Sequence, residues 1–96
     1  MNGPFTFYTD PGHGWLKVRR RDLELLGIER KITPFSYETP GRRMVYLEED
    51  CDATTFVNAY VERWGHKPEY KYHNEPYRPS RIRNMQPYHN EYYCFT

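Results

Sequence analysis

Phe5-Thr6-Phe7-Tyr8-Thr9-Asp10-Pro11-Gly12-His13-Gly14-Trp15-Leu16-Lys17-Val18-Arg19 is the stretch whose reading decides the fold. Aromatic and β-branched residues over 5–8 and the run over 15–18 read as two strands, and Asp10-Pro11-Gly12-His13-Gly14 supplies the turn chemistry between them. Working outward, residues 20–26 form a short helix with Leu23 and Leu26 on one face and Gly27 as its C-cap. Residues 32–37 and 44–48 read as a hairpin with Thr39-Pro40-Gly41-Arg42 in its loop. Asp52 is the expected N-cap of a helix over 53–64, on which Phe56, Val57, Tyr60, Val61 and Trp64 recur at helical spacing as one apolar stripe. Gly65 ends that helix, and residues 69–72 make a further strand. The sequence thus predicts an α+β fold: a small, mostly antiparallel sheet with one main amphipathic helix, a short second helix and an aromatic-rich C-terminal tail.

The chain has 96 residues, near the lower limit for an unaided hydrophobic core. Leu, Ile, Val and Phe are scarce, but ten Tyr and two Trp restore apolar area, since each ring buries about 150–250 Å². With 14 Lys and Arg against 13 Asp and Glu, the net charge of +1 makes no general electrostatic case for nucleic acid or an anionic membrane. Aliphatic residues concentrate in 1–65, the expected α+β core. The segment 66–96 is rich in Tyr, Arg and Pro, including Tyr70, Tyr72, Tyr77, Tyr88, Tyr92, Tyr93 and Phe95. That composition supports no second core, so the segment either packs on the first part or orders on meeting a partner. No apolar run reaches the ~18 residues of a membrane span, and the N-terminus has no signal pattern, so a cytoplasmic protein without membrane contact is expected. Cys51 and Cys94 fit neither a disulfide framework nor a metal motif and are read as reduced thiols.

Several residues are candidates for chemistry. His13, flanked by glycines, is open to a ligand, and Asp10 three positions earlier is placed to orient it; the competing reading is an Asx turn with His13 on its outer face. Ser36 and Ser80 lack a nucleophile context. Glu48, Glu49 and Asp50 precede the second helix, where carboxylates complement the helix dipole or, alternatively, attract a hard cation or a basic partner. Zinc would need Cys51, Cys94, His66, His73 and His89 to converge, which no spacing requires. No cofactor and no metal is expected. In the tail, Arg78, Arg81 and Arg83 interleave with Tyr77 and other tyrosines, a mixture suited to protein hot spots or to stacking on single-stranded nucleic acid.

Asp10-Pro11-Gly12-His13-Gly14-Trp15-Leu16, Leu26-Gly27-Ile28, Ser36-Tyr37 and Tyr46-Leu47-Glu48-Glu49-Asp50-Cys51-Asp52 together resemble a family of short phage and prophage proteins. The resemblance spans roughly residues 5–83 and brings no catalytic residues with it. In that family proline often stands where this chain has Arg19, and the hairpin loop is shorter; here Arg19-Arg20-Arg21 and Arg42-Arg43 make both places more basic. The resemblance implies a non-enzymatic accessory protein that binds and modulates a host protein, for host takeover or anti-defence, in the cytoplasm of an infected bacterium. Its contact residues would come from Asp10, His13, Trp15, Arg19, Arg20, Arg21, Glu48, Glu49, Asp50, Tyr77, Arg78, Arg81 and Arg83. Two alternatives stay open. Lys17 to Ile28 also resembles the strand–helix–strand order of AbrB-like DNA-binding proteins, which implies nucleic-acid binding through Lys17, Arg19, Arg20 and Arg21 plus the tail. The other is a small ligand-binding or catalytic domain around His13. A homodimer would help so small a core bury an aromatic face.

Overall fold

The computed structural model describes residues 3–93. Along the chain lie β1 (Phe5–Thr9), β2 (Gly14–Arg19), α1 (Arg20–Leu25), β3 (Tyr37–Glu38), β4 (Met44–Glu48), α2 (Asp52–Trp64), β5 (Tyr70–Asn74) and β6 (Gln86–Pro87), with a 3₁₀ turn at Arg81–Asn84. Six strands form one sheet in the order β5-β1-β2-β4-β3-β6. Every neighbouring pair is antiparallel except β1 with β5. The fold is α+β, with one main helix and a short second one.

Strand alternation sends the two halves of each strand's side chains to opposite faces. On one face Phe5, Leu16, Val18, Val45 and Leu47 meet Ala53, Phe56 and Tyr60 of α2 and Leu23 of α1. Phe5 sits edge-on to Phe56 and Tyr60, at centroid distances of 5.3 and 5.9 Å. On the other face Trp15 and Tyr46 bury Ile82, flanked by Tyr8, Tyr37 and Met85. The link from β4 through α2 to β5 joins two strands that run the same way, which is why a helix is needed to return the chain. The chain beyond Gly65 therefore supplies both edge strands. Between them it crosses the face opposite α2, with Ile82 as its buried contact. Tyr88 then donates its hydroxyl to the Glu29 carbonyl at 2.6 Å, and Asn90 donates to the carbonyls of Arg30 and Ile32.

Gly27 and Gly65 close the two helices at φ 69° and 78°, as the sequence implies. Three expectations need correction. Of the strand expected over 32–37 only Tyr37 pairs, together with Glu38; the Thr33 amide and the Thr33 and Ser36 hydroxyls are engaged by the Asp52 carboxylate, away from any strand ladder. Asp52 is the first residue of α2 and not its N-cap, a position held by Cys51. The apolar stripe of α2 is narrower than its spacing suggests. Phe56 and Tyr60 are buried, whereas Val61 and Trp64 stay exposed, Trp64 beneath the Arg63 guanidinium at 4.5 Å. Among the described residues no helix is long and apolar enough to cross a membrane.

Candidate functional site

The Asp10 turn organises the site. Asp10 Oδ1 accepts the backbone N–H groups of Gly12 and His13 at 3.0 and 2.9 Å, an Asx-type closure of the β1–β2 connection. Its carboxylate also receives Arg83 in a two-pronged pair, Nε to Oδ2 and Nη2 to Oδ1, both 2.7 Å. The Ser80 amide adds a contact at 2.8 Å. Arg83, reinforced by the amides of Ser80, Gly12 and His13, holds the Asp10 carboxyl well below the usual carboxylate range, against the opposing effect of burial. One turn carboxylate thus clamps residues 70 and 73 positions away in sequence. Gly14 begins β2 where an added Cβ would lie 2.8 Å from both the Phe7 ring and the Glu49 carboxylate, so any larger residue there would have to displace both side chains.

Arg83 also shapes what faces solvent. Its Nη2 lies 2.9 Å from His13 Nδ1, and its guanidinium lies 5.7 Å from the Trp15 ring centre. A guanidinium only donates, so Nδ1 accepts and the contact fits the neutral His13 tautomer with its proton on Nε2. The imidazole stacks on Trp15 at 5.9 Å and 19°. The Asp10 carboxylate thus reaches the His13 ring only through Arg83, whose Nη2 contacts both; Asp10 itself meets the His13 backbone, accepting its amide and donating its own amide to the His13 carbonyl at 2.9 Å.

An open cleft of about 580 Å³ lies beside this clamp, lined by His13, Trp15, Phe35, Tyr37, Glu48, Asp50 and Arg83. Trp15 forms a buried floor and meets Tyr37 edge-on at 6.3 Å, while Phe35 is 62% exposed. The end of β4 and the turn before α2 complete the lining with Glu48 and Asp50. The Glu48 carboxylate accepts the amides of Asp50 and Cys51 at 2.8 and 3.0 Å, which fixes it as a cap of that turn. Asp50 is exposed. The cleft is thus an aromatic hollow whose lining carries one guanidinium and two carboxylates.

The structure brings five of the sequence-derived candidates together here: His13, Trp15, Glu48, Asp50 and Arg83. Asp10 lies beneath them, buried, and exposed Glu49 reaches back over Gly14. Arg19, Arg20 and Arg21 lie at the other end of β2, gathered with Arg42 and Arg43 around a second hollow of about 550 Å³. Arg19 pairs with Asp22 at 2.8 Å, and Arg42 and Arg20 approach the buried Glu38 at 2.9 and 3.8 Å. Tyr77, Arg78 and Arg81 form a third group: Tyr77 is 94% exposed, and Arg78 and Arg81 line a hollow with Tyr8, His73 and Glu75. Phe35 is a cleft residue that the sequence reading does not single out; Tyr37 enters that reading only within the Ser36-Tyr37 block of the resemblance and not as a candidate contact.

The expected alternatives for metal fare as follows. Among the described residues no group of three or more His, Cys, Asp or Glu side chains is placed to hold a metal ion. Cys51 is exposed, and burial, with the Asp52 and Glu48 charges, pushes its thiol pKa up; Cys94 lies outside the described residues. Comparison of the chain with protein-family models, with curated proteins and with solved structures gives no match.

Proposed function

We propose that this chain is a non-enzymatic accessory protein of phage type that binds and modulates a host protein in the cytoplasm of an infected bacterium, with the His13–Phe35–Asp50 cleft as its contact surface. The observation that carries the reading is Phe35, a large apolar ring left 62% exposed at the mouth of a hollow with an aromatic floor. Rigid aromatic anchors beside charged groups are the composition of protein-interface hot spots. Two of the charged groups around it are already engaged, Arg83 with Asp10 and Glu48 with two backbone amides, which leaves the exposed Asp50 carboxylate to meet a partner. A surface whose guanidinium and capping carboxylate are held in place presents shape and stacking area more readily than it moves protons. The resemblance to short phage proteins supplies the biological setting, and five of the cleft residues, His13, Trp15, Tyr37, Glu48 and Asp50, lie in the blocks that carry it.

The test is capture of partners from a bacterial lysate by the wild-type protein and by Phe35→Ala and Asp50→Lys variants, each with and without nuclease. A single stoichiometric protein that survives nuclease and is lost with both variants is the expected result. Capture that is unchanged in both variants would overturn the role of the cleft.

A second reading has its own observation. Arg21 and Arg43 stand exposed beside Arg19, Arg20 and Arg42 around one hollow, a geometry suited to phosphates of nucleic acid. Asp22 and Glu38 contact three of the five guanidinium groups and offset two of the five charges. On this reading binding to oligonucleotides falls steeply as salt rises, and Arg21→Ala with Arg43→Ala flattens the slope.

A further inference from the structure

The charges that line the cleft do not cancel. Its one guanidinium, Arg83, is matched by Asp10, which takes both of its prongs at 2.7 Å. His13 accepts from Arg83 at Nδ1 and stays neutral in that contact. Glu48 and Asp50 are left with no ion pair among the described residues, and exposed Glu49 stands between them in the chain. The two lining carboxylates differ in what they can still do. Each oxygen of Glu48 accepts a backbone amide, at 2.8 and 3.0 Å, and one of those amides belongs to Asp50. The Asp50 backbone is therefore held, while its own carboxylate is exposed and has no partner among the described residues. On the aromatic side Phe35 is equally fixed. Thr33 and Ser36 on either side of it are bound by the buried Asp52 carboxylate, and the Phe35 amide donates to the Thr33 hydroxyl at 3.2 Å. The ring stays 62% exposed on a pinned backbone.

We infer that the cleft receives an arginine side chain of the partner protein, its guanidinium laid on the Phe35 ring and paired through two prongs with the Asp50 carboxylate. This rests on the reading of the cleft as the contact surface and specifies what enters it. Arginine meets both halves of the lining at once. Its flat, weakly hydrated cation stacks on an aromatic face, and its fork of N–H donors matches the two open oxygens of a carboxylate. Other occupants fail on one half or the other. An acidic or phosphate-bearing group would meet Glu48, Glu49 and Asp50 with no unmatched cation of the lining to receive it. An apolar side chain would cover the Asp50 carboxylate without pairing it, which costs free energy. Lysine brings the charge, but its compact ammonium offers neither the fork nor the flat face. Because Phe35 and Asp50 are both held by backbone contacts of their own, binding orders little of this chain.

Titration of the full chain with a short blocked peptide, a single arginine among glycines, tests this by NMR at the Trp15 indole, the Tyr37 ring and the Asp50 amide. Matched peptides carry citrulline, which keeps the shape without the charge, or lysine, or glutamate. The expected result is saturable shifts confined to the cleft, weakening as salt rises. Affinity should fall roughly tenfold for the citrulline peptide and in Asp50→Asn, as loss of one charge-assisted pair implies, with lysine between and glutamate weakest. Asp50→Asn should leave circular dichroism unchanged, since its side chain is exposed. Citrulline, lysine or glutamate bound as tightly as arginine overturns the inference. So does an arginine peptide that shifts nothing in the cleft or binds Asp50→Asn as well as wild type. Lysate capture separates this from the reading beneath it. A partner lost with Phe35→Ala but kept by Asp50→Asn under excess arginine peptide overturns the arginine and leaves the cleft as a contact surface. Capture indifferent to both Phe35→Ala and Asp50→Lys removes the contact surface itself.

Discussion

Asp10 and Asp52 bury two carboxylates of one sheet in opposite ways. Both sit just past a strand end, and both draw a distant segment in. Asp10 has a cation: Arg83 grips both of its oxygens, and three backbone amides complete the set. Asp52 has none. Its Oδ2 takes the Thr33 amide at 3.0 Å, the Thr33 hydroxyl at 2.7 Å and the Ser36 hydroxyl at 2.5 Å, while its buried Oδ1 has no hydrogen-bond partner. Burial pushes the Asp52 pKa up, hydrogen bonds from Ser36 and Thr33 opposing it and the Glu48 charge adding to it. A paired carboxylate stabilises by being charged; a buried carboxylate without a cation is costly to ionise, and the hydroxyls around it offset only part of that cost. The two clamps therefore respond to pH and to mutation in different directions.

The largest effect is expected at Asp10. Asp10→Ala strands the amides of Gly12, His13 and Ser80 and releases Arg83, which separates the turn from the crossing segment. A loss of about 2–4 kcal/mol in urea-induced unfolding follows from that many buried partners. Cleavage by protease beyond Asn74 should rise in the same variant. A loss under about 1 kcal/mol would mean that Ile82 and Tyr88 alone hold the segment to the sheet.

The pH profile separates the two clamps directly. Asp10 binds its proton less tightly in the fold than in the unfolded chain, so its contribution is complete above the ordinary carboxylate value of 3.8 and drains away as pH falls below it. Asp52 is the reverse: the fold holds its proton more tightly, so stability declines as pH rises from 3.8 through its raised value. Thermal melts from about pH 3 to pH 8, bracketing the usual carboxylate range, should show Asp10→Asn losing most of the acid-side fall. Asp52→Asn should lose the decline toward neutrality. An unchanged decline in Asp52→Asn would assign it to another group.

Ser36→Ala sharpens the contrast at smaller cost. The Ser36 hydroxyl donates to Asp52 and accepts the Glu48 amide at 2.9 Å, bridging β4 to the start of α2. Its removal should cost about 1–2 kcal/mol, in line with one lost buried partner on each side. Because it strips a hydrogen bond from the charged form of Asp52, it should also steepen the decline toward neutral pH. No equivalent hydroxyl deletion near Asp10 would change its titration so, since Arg83 dominates there.

The same contrast explains what could be read from the chain. Strands β1, β2 and β4, both helix stops and the Asx closure at Asp10 depend on neighbours within a few positions, and local residue types announce them. Asp52 reads equally well as a cap, because its true partners, Thr33 and Ser36, lie 19 and 16 positions back in an apparently extended run. Arg83 carries no local sign that it closes on Asp10, 73 positions away. The cleft inherits both difficulties. His13, Trp15, Glu48 and Asp50 come from legible turns, whereas Phe35 is exposed because Thr33 and Ser36 are drawn inward on either side of it. An apolar ring between two buried hydroxyl residues reads as strand until the carboxylate that claims those hydroxyls is known.

His13→Ala gives the smallest expected change in the fold and tests where the Asp10 clamp ends. The imidazole is exposed, and its two contacts, with Arg83 and with the Trp15 face, add to an ion pair that is complete without it. Stability should move by no more than about 0.5 kcal/mol, the range of a surface substitution. The ring nevertheless forms one wall of the cleft, so partner capture should weaken while the melting curve barely shifts. A large drop in stability would make His13 a member of the clamp, and the cleft would then be a by-product of folding rather than a surface available for recognition. Unaltered capture with unaltered stability would confine recognition to the Phe35 and Asp50 side, away from the cation.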